Sequence, residues 1–468
     1  MTVTTPCDVL IRAGWLVPAD AESRVISDAA IAVTADRIVA VGTREELAHW
    51  RAARTIDLPD AALMPGFVDG HNHLFQALAR GLGEGQSIWP WLCDFMWPYA
   101  IAMTPSDARA AARLGALEAI RSGITTVVDN HYAPTDLDTT LAVASAIHDA
   151  GLRGAVARGI LGRRSAIGVR RGQPEPLYRY DTADELAITR EAAAVHPAGS
   201  RVEVWPGPVN LSYLDQDLMA ASVQLARDLG TRWHTHCSEG SKDPDSYLEE
   251  YGIRPVQWLA REGLLDERAT LAHAIWLDDA ELDAIAASGA SVAHNPTSNA
   301  YLASGSIRLG QMRERGIPVA LGTDGPSCGH RQDPFECMKQ AIFIQRLATL
   351  DPTVLRAHES FAHGTRSGGA YTGYEVGELA VGLLADVVAV DLSGAHQQPV
   401  HDPVSTLVYA SRGSDVVLTM IGGQVVYSDG VVHTMDEKQV IAEAGEAARH
   451  LIERHPQLAA TARDRVPA

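Results

Sequence analysis

Two histidines stand one residue apart in PGFVDGHNHLFQ, residues 65–76, directly after a short apolar run. In an extended strand, residues i and i+2 point to the same side. His71 and His73 therefore present two imidazoles to one point. A third histidine, His236, lies in HTHCSEG, and Asp324 lies in LGTDGPS. Each follows a short apolar stretch that reads as a strand. Three neutral imidazoles and one carboxylate suit a divalent ion of the zinc or iron class, which keeps a position open for water when it is catalytic. Glu239 stands three residues beyond His236, and His273 sits in LAHAIWL. An ion of this class lowers the pKa of a bound water toward about 7. A carboxylic acid and an imidazole beside it can then shuttle protons.

These groups need a frame that brings distant segments to one place. Residues 1 to 62 read as short alternating strands with Gly and Asp punctuation, as in DVLIRAGWLVP and AAIAVTADRIVAVG. The same texture returns in 376–435, in ADVVAVDL and DVVLTMIGGQVVYSDG. The two ends are expected to form one small β-sandwich. Between them, over 63–375, apolar strands alternate with helical patterns, the signature of βα units and a parallel sheet. Eight strand candidates can be counted: LMPGFVDGHNH, TTVVDNH, RGAVARGI, RVEVWPGP, TRWHTHCSE, ATLAHAIWL, SVAHNPTS and PVALGTDGP. The expected class is α/β, a (β/α)8 TIM barrel whose chemistry lies at the C-terminal strand ends. Residues 436–468 read as an exposed, amphipathic helical tail.

Bulk properties narrow the function. The chain has 468 residues, 46% hydrophobic and 21% charged, an ordinary globular composition. Its formal net charge of −19 argues against nucleic-acid binding, which rests on clustered Lys and Arg. No apolar run approaches the ~18 residues of a membrane span, and the start shows no secretory pattern. Five cysteines without CxxC spacing (Cys7, Cys93, Cys237, Cys328, Cys337) suggest a reducing cytoplasm rather than a disulfide framework. The three lysines are Lys242, Lys339 and Lys438.

Taken together, PGFVDGHNH, HTHCSE, LAHAIWL, AHNPTSNAYLASG and LGTDGPS resemble the amidohydrolase superfamily. Within it, the chain looks like the branch of mononuclear deaminases and chlorohydrolases acting on N-heterocycles. The resemblance covers nearly the whole chain. It implies that His71, His73, His236 and Asp324 hold one divalent metal, zinc first and iron second. It implies Glu239 as the proton shuttle and His273 as the residue that polarises the attacking water. Binuclear members bridge two metals with a carboxylated lysine from the fourth strand. No lysine precedes Lys242 here, which agrees with one metal. The implied reaction is hydrolytic deamination of a small heterocycle (purine, pterin, pyrimidine or triazine) with release of ammonia. Hydrolytic dechlorination or N-dealkylation of triazines, and opening of a cyclic amide, are the alternatives; a non-enzymatic scaffold is disfavoured by the full set of polar positions. A homo-oligomer is expected, dimer or higher.

The substrate is less legible. Adenosine-type deaminases resembling this chain carry a ribose-binding carboxylate two residues before a tryptophan that aligns with Trp91; here that place is Trp89. They also carry a histidine where this chain reads PGPVNLSY. Both departures count against a nucleoside. Gln76 and His131 look like the 8-oxoguanine, isoxanthopterin and hydroxytriazine group. A carboxamide at Gln76 matches the donor/acceptor edge of such rings, with a core amide as the alternative. His131 could face the pocket or brace loops. Arg158 could meet an anionic oxygen or form an ordinary ion pair, and Trp91 is carried over as a substrate contact. His294 reads as structural, His330 as a loop or surface residue, and Cys328 lacks a base that would make it a nucleophile. The segment GLGEGQSIWPWLCDFMWPYA is expected as a lid, a subunit contact or a helix packed on the barrel.

Overall fold

The structure is a computed structural model that describes residues 4–132 and 134–460. Each of the eight barrel segments holds a strand. Among the described residues, sixteen strands run in chain order: β1 Thr5–Leu16, β2 Ile26–Thr34, β3 Arg37–Thr43, β4 Trp50–Pro65, β5 Phe67–Asn72, β6 Ile124–His131, β7 Arg153–Ile160 and β8 Val202–Pro208. They continue with β9 Trp233–Cys237, β10 Ala269–His273, β11 Ser291–His294, β12 Val319–Leu321, β13 Val387–Asp391, β14 Val416–Ile421, β15 Gln424–Ser428 and β16 Val431–Val432.

Two compact units emerge. One comprises the residues up to Asp69, 117–126 and 333–436; the other comprises 70–116, 127–332 and the chain from Glu437 on. In the first unit, the strands of 5–65 and 387–432 form a single eight-stranded sheet in the order β16-β15-β14-β13-β4-β1-β2-β3. β4 is the seam: it runs parallel to β1 and antiparallel to β13. Ile11, Ile31, Val33, Leu63, Val387 and Met420 share one buried apolar cluster. The far edge also meets the other half, because Ile38 N–H donates to Leu383 O at 3.0 Å.

The eight remaining strands form two four-stranded sheets, β5-β6-β7-β8 and β9-β10-β11-β12. β7 pairs with β8 in parallel, as do β9, β10, β11 and β12 in succession. Every residue of β5 through β12 is buried. Strands covered on both faces read as continuous apolar runs, which explains their texture. Beyond the strand ends, Val209 O accepts from His236 N–H at 3.1 Å, and His71 O accepts from Asp324 N–H at 2.9 Å.

The helices carry a repeated punctuation. Asp136, Asp215 and Asp278 cap helices by accepting from Thr139, Leu218 and Glu281 N–H, and these helices end on left-handed Gly151, Gly230 and Gly289. A short carboxylate satisfies a free first-turn N–H, and glycine takes positive φ without a Cβ clash. The C-terminal helix Glu437–Arg454 departs from an exposed tail. Val440, Ala444 and Leu451 are buried, Arg454 bonds Asp107 at 2.6 Å, and Glu443 pairs with Arg113. Its apolar stripe found a surface to cover.

Arg158 shows how strand ends are anchored. It is fully buried and pairs with Glu185 at 2.6 Å; it also donates to Thr189 Oγ1 at 3.0 Å and Thr135 O at 2.6 Å. Removing one member of a buried pair strands the other charge. Arg158→Ala should therefore lower stability by about 3–5 kcal/mol in denaturant unfolding, and an Arg158→Met, Glu185→Leu double variant should recover most of that loss. An unchanged midpoint in Arg158→Ala contradicts the anchoring role.

Candidate metal centre and active site

His71 and His73 project from the end of β5 and the residue after it, His236 from β9, His273 from the end of β10, and Asp324 from the loop after β12. All are buried. His73 Nε2 lies 3.3 Å from His236 Nε2 and 3.3 Å from Asp324 Oδ1. His71 Nε2 lies 3.5 Å from the same oxygen. His273 Nε2 is 3.6 Å from Asp324 Oδ2 and 3.7 Å from Glu239 Oε2.

The second ring nitrogens decide what these contacts are. His73 Nδ1 bonds Asn130 O, and His236 Nδ1 bonds Val209 O at 2.8 Å. A carbonyl only accepts, so each Nδ1 carries the proton and each Nε2 presents a lone pair. Two lone pairs thus face each other across 3.3 Å with no proton between them. A cation at that point satisfies both. Burial, then neighbouring imidazoles, hold the pKa of His71 and His236 well below the usual histidine value, and burial lowers that of His73. Neutral imidazole is the ligand form. The donor set fits a divalent ion of the zinc class.

The backbone is bent to deliver these groups. Ser238, His273, Ala274 and Asp324 have φ of 46°, 67°, 48° and 60°. Non-glycine residues in this region are held there only where surroundings dictate it. Here the hold is Ala274 N–H to Cys237 O at 2.9 Å, and Asp324 N–H to His71 O. His273 Nδ1 donates to Asn299 Oδ1 at 2.9 Å, so its Nε2 also faces inward as a lone pair.

Glu239 is buried with its Oε1 3.5 Å from Ser304 Oγ. Desolvation raises its carboxyl pKa to about 7; the nearby His273 opposes this, and Asp324 and Asp243 add to it.

The other expected contacts are placed as follows. Gln76 is fully buried, its Oε1 bound by Ser327 Oγ, and its Nε2 has no hydrogen-bond partner. His131 is buried against Phe75 at 4.7 Å, and burial lowers its pKa to about 3. Trp91 packs edge-on against Phe95, inside the apolar cluster that also holds Phe75 and Tyr132. Arg158 is engaged by Glu185, Thr189 and Thr135 as described. His330 stacks edge-on to Tyr301, and Cys328 is buried with its thiol pKa pushed well up by desolvation.

Sequence reasoning missed Tyr132, whose ring lies 4.6 Å from His73 and 5.7 Å from His236. It also missed a clasp beside Glu239: buried Asp243 accepts from Gly240 N–H and from Arg171 at 3.0 Å each, while Arg171 sits 4.3 Å over the Trp89 ring. The adjacency of Asp243 to Glu239 was the available signal, but its partner is 72 residues away.

Barrel-type strands ending in a histidine cluster define a metal-site hydrolase class, and the sequence comparison agrees. Residues 62–426 match the amidohydrolase family, and the chain belongs to that family. It is 35% identical over 424 residues to the 5-methylthioadenosine/S-adenosylhomocysteine deaminase of Natronomonas pharaonis, covering 90% of this chain and 95% of that one. It is 34% identical over 454 residues to the enzyme of the same name from Nitratidesulfovibrio vulgaris, covering 97% and 99%. Among solved structures it is similar to an adenosine deaminase from Xanthomonas campestris with bound zinc (TM-score 0.89, 28% identity, 96% of this chain and 100% of that one). It is also similar to the atrazine chlorohydrolase of Arthrobacter aurescens complexed with zinc (TM-score 0.84, 25% identity, 94% and 100%).

In the metal-free protein, Glu239→Gln should raise the melting temperature at about pH 8 and leave it unchanged at about pH 4. The folded pKa, about 7, exceeds the ordinary 4.5. The parent's relative stability is therefore full below the lower value, falls between the two and is flat above, by about 3 kcal/mol in all. A gap independent of pH contradicts the raised carboxyl.

Proposed function

We propose that this protein is a metal-dependent aminohydrolase that deaminates a small N-heterocycle and releases ammonia. The observation that carries the reading is the set of inward imidazole lone pairs beside Asp324, with a carboxyl of raised pKa at Glu239. His71, His73, His236 and Asp324 would hold one divalent ion, zinc in the first place, and the absence of any lysine before Lys242 supports one rather than two. The ion, when bound, would supply Lewis-acid activation of water near neutral pH.

The protein's own groups do the proton work. Asp324 Oδ2 or His273 Nε2, 3.6 Å apart, takes the proton from water. Glu239, protonated, donates to the ring nitrogen next to the electrophilic carbon and makes that carbon an acceptor. One C–O bond forms and the C–N bond breaks; the proton carried by Asp324 or Glu239 leaves with the amine as ammonia, and the adduct's hydroxyl proton restores the acid state of Glu239. Gln76 Nε2, with both hydrogens unclaimed, and the neutral His131 are proposed to meet the ring. Arg158 is assigned to structure instead, and Trp91 to packing. A free heterocycle is favoured over a nucleoside because Trp89, held by Arg171, Trp97 and Tyr213, occupies the place expected of a ribose-binding carboxylate.

For the fold, we propose that the two four-stranded sheets close as one barrel over 63–375. The bonds from Val209 to His236 and from His71 to Asp324 support closure at both seams. The first unit's sheet is proposed to curl into a sandwich, supported by the Ile38–Leu383 bond. No helix among the described residues is long and apolar enough to cross a membrane. A cytoplasmic location and a homo-oligomer are also proposed, the former supported by five free cysteines.

A coupled ammonia assay across guanine, 8-oxoguanine, isoxanthopterin, cytosine, aminotriazines, 5-methylthioadenosine and S-adenosylhomocysteine tests the reading. Ammonia from a free heterocycle is expected; ammonia only from the nucleosides overturns the substrate assignment. Chloride from a chlorotriazine, with no ammonia from any compound, favours the second reading, which the chlorohydrolase neighbour supports. Glu239→Gln should keep its metal and lose turnover by about 100-fold or more. Asp324→Asn should lose both metal and activity; unchanged metal content there refutes its place as a ligand.

A further inference from the structure

His71 differs from its neighbours in what holds it. Its Nδ1 lies 2.8 Å from the Nε2 of another fully buried histidine, His234. Two imidazoles in contact can share their proton in either sense, so this contact alone leaves His71 undecided between ligand and non-ligand tautomers.

The next partners decide it. His234 Nδ1 lies 2.9 Å from Thr270 Oγ1, and Thr270 Oγ1 donates its only proton to Trp233 O at 2.7 Å. The carbonyl can only accept, so the threonine oxygen must accept from His234 Nδ1–H. His234 Nε2 is then a lone pair that accepts from His71 Nδ1–H. His71 Nε2 is left unprotonated, facing Asp324 Oδ1.

We infer that His234 and Thr270 are positioning residues: with Trp233 O they form a directed hydrogen-bond chain that fixes the tautomer of His71 for metal binding. The inference rests on the metal-hydrolase reading. Its logic is that of partners behind a ligand, which set ring orientation and tautomer and are worth about 10–100-fold in metal affinity. The chain is built into the barrel: β9 supplies Trp233 and His234, β10 supplies Thr270, and β5 supplies His71. Thr270 is two hydrogen bonds from His71. Removing its hydroxyl frees His234 to carry its proton on Nε2, which would point that proton at His71 Nδ1 and force the His71 proton onto the inward nitrogen.

The test uses the whole protein, stripped with a chelator, as parent, Thr270→Ser, Thr270→Val and His234→Leu. Zinc affinity is read by competition with a chromophoric chelator. Long-range 1H–15N spectra of the metal-free protein read which His71 nitrogen is protonated. Thr270→Ser should match the parent. Thr270→Val and His234→Leu should weaken zinc by about 10–100-fold, and Thr270→Val should move the His71 proton toward Nε2. If His234→Leu does not fold, the Thr270 pair decides through the same two readouts. Equal zinc affinity and an unchanged tautomer in Thr270→Val overturn this inference and leave the functional reading standing. A parent that binds neither zinc nor iron overturns both.

Discussion

Four imidazoles donate their Nδ1 protons outward, to Asn130 O, Val209 O, Asn299 Oδ1 and His234, and so leave their Nε2 lone pairs facing into the site that holds Asp324, those of His71, His73 and His236 close together. Buried lone pairs without a proton between them repel unless a cation joins them. Burial also keeps the rings of His71, His73 and His236 neutral, because charging an imidazole away from water is unfavourable. The same desolvation that makes the histidines ligands lifts Glu239 toward neutrality. One condition, burial at the strand ends, therefore sets both the ligand state and the acid state.

The scaffold makes that condition durable. Strands buried on both faces leave little freedom at their ends, and the left-handed backbone of Ser238, His273, Ala274 and Asp324 is held by bonds to neighbouring strands. Strain of about 1–3 kcal/mol per such residue persists only where the surroundings over-determine it. Elsewhere the chain follows local rules, with Asp at helix starts and Gly at helix ends. Non-glycine residues with positive φ also occur outside the site, as at Asp28 and Leu350.

Much of the centre was legible because its signals are periodic. The i, i+2 spacing of His71 and His73 survives into the structure, and the eight apolar runs all became strands. His236, Glu239, His273 and Asp324 follow from their positions at the ends of those runs. What could not be read depends on partners remote in the chain. Arg158 meets Glu185 across 27 residues and Arg171 meets Asp243 across 72, so neither pairing leaves a local trace. Trp89 and Trp91 differ by two residues, yet only packing sets one ring against Arg171 and Tyr213 and the other against Phe95. The tail's stripe was visible, but the surface that covers it was not. His234 sits in the HTH of HTHCSE, and only the contact with His71 gives its spacing a meaning.

The central claim is tested most directly by metal stoichiometry together with X-ray absorption at the metal edge, on protein reconstituted with zinc. The account predicts one equivalent of zinc, bound by three imidazole nitrogens at about 2.0–2.1 Å and by carboxylate oxygen, with no sulfur. Two tightly held equivalents, a sulfur shell, or protein that retains no zinc would contradict it.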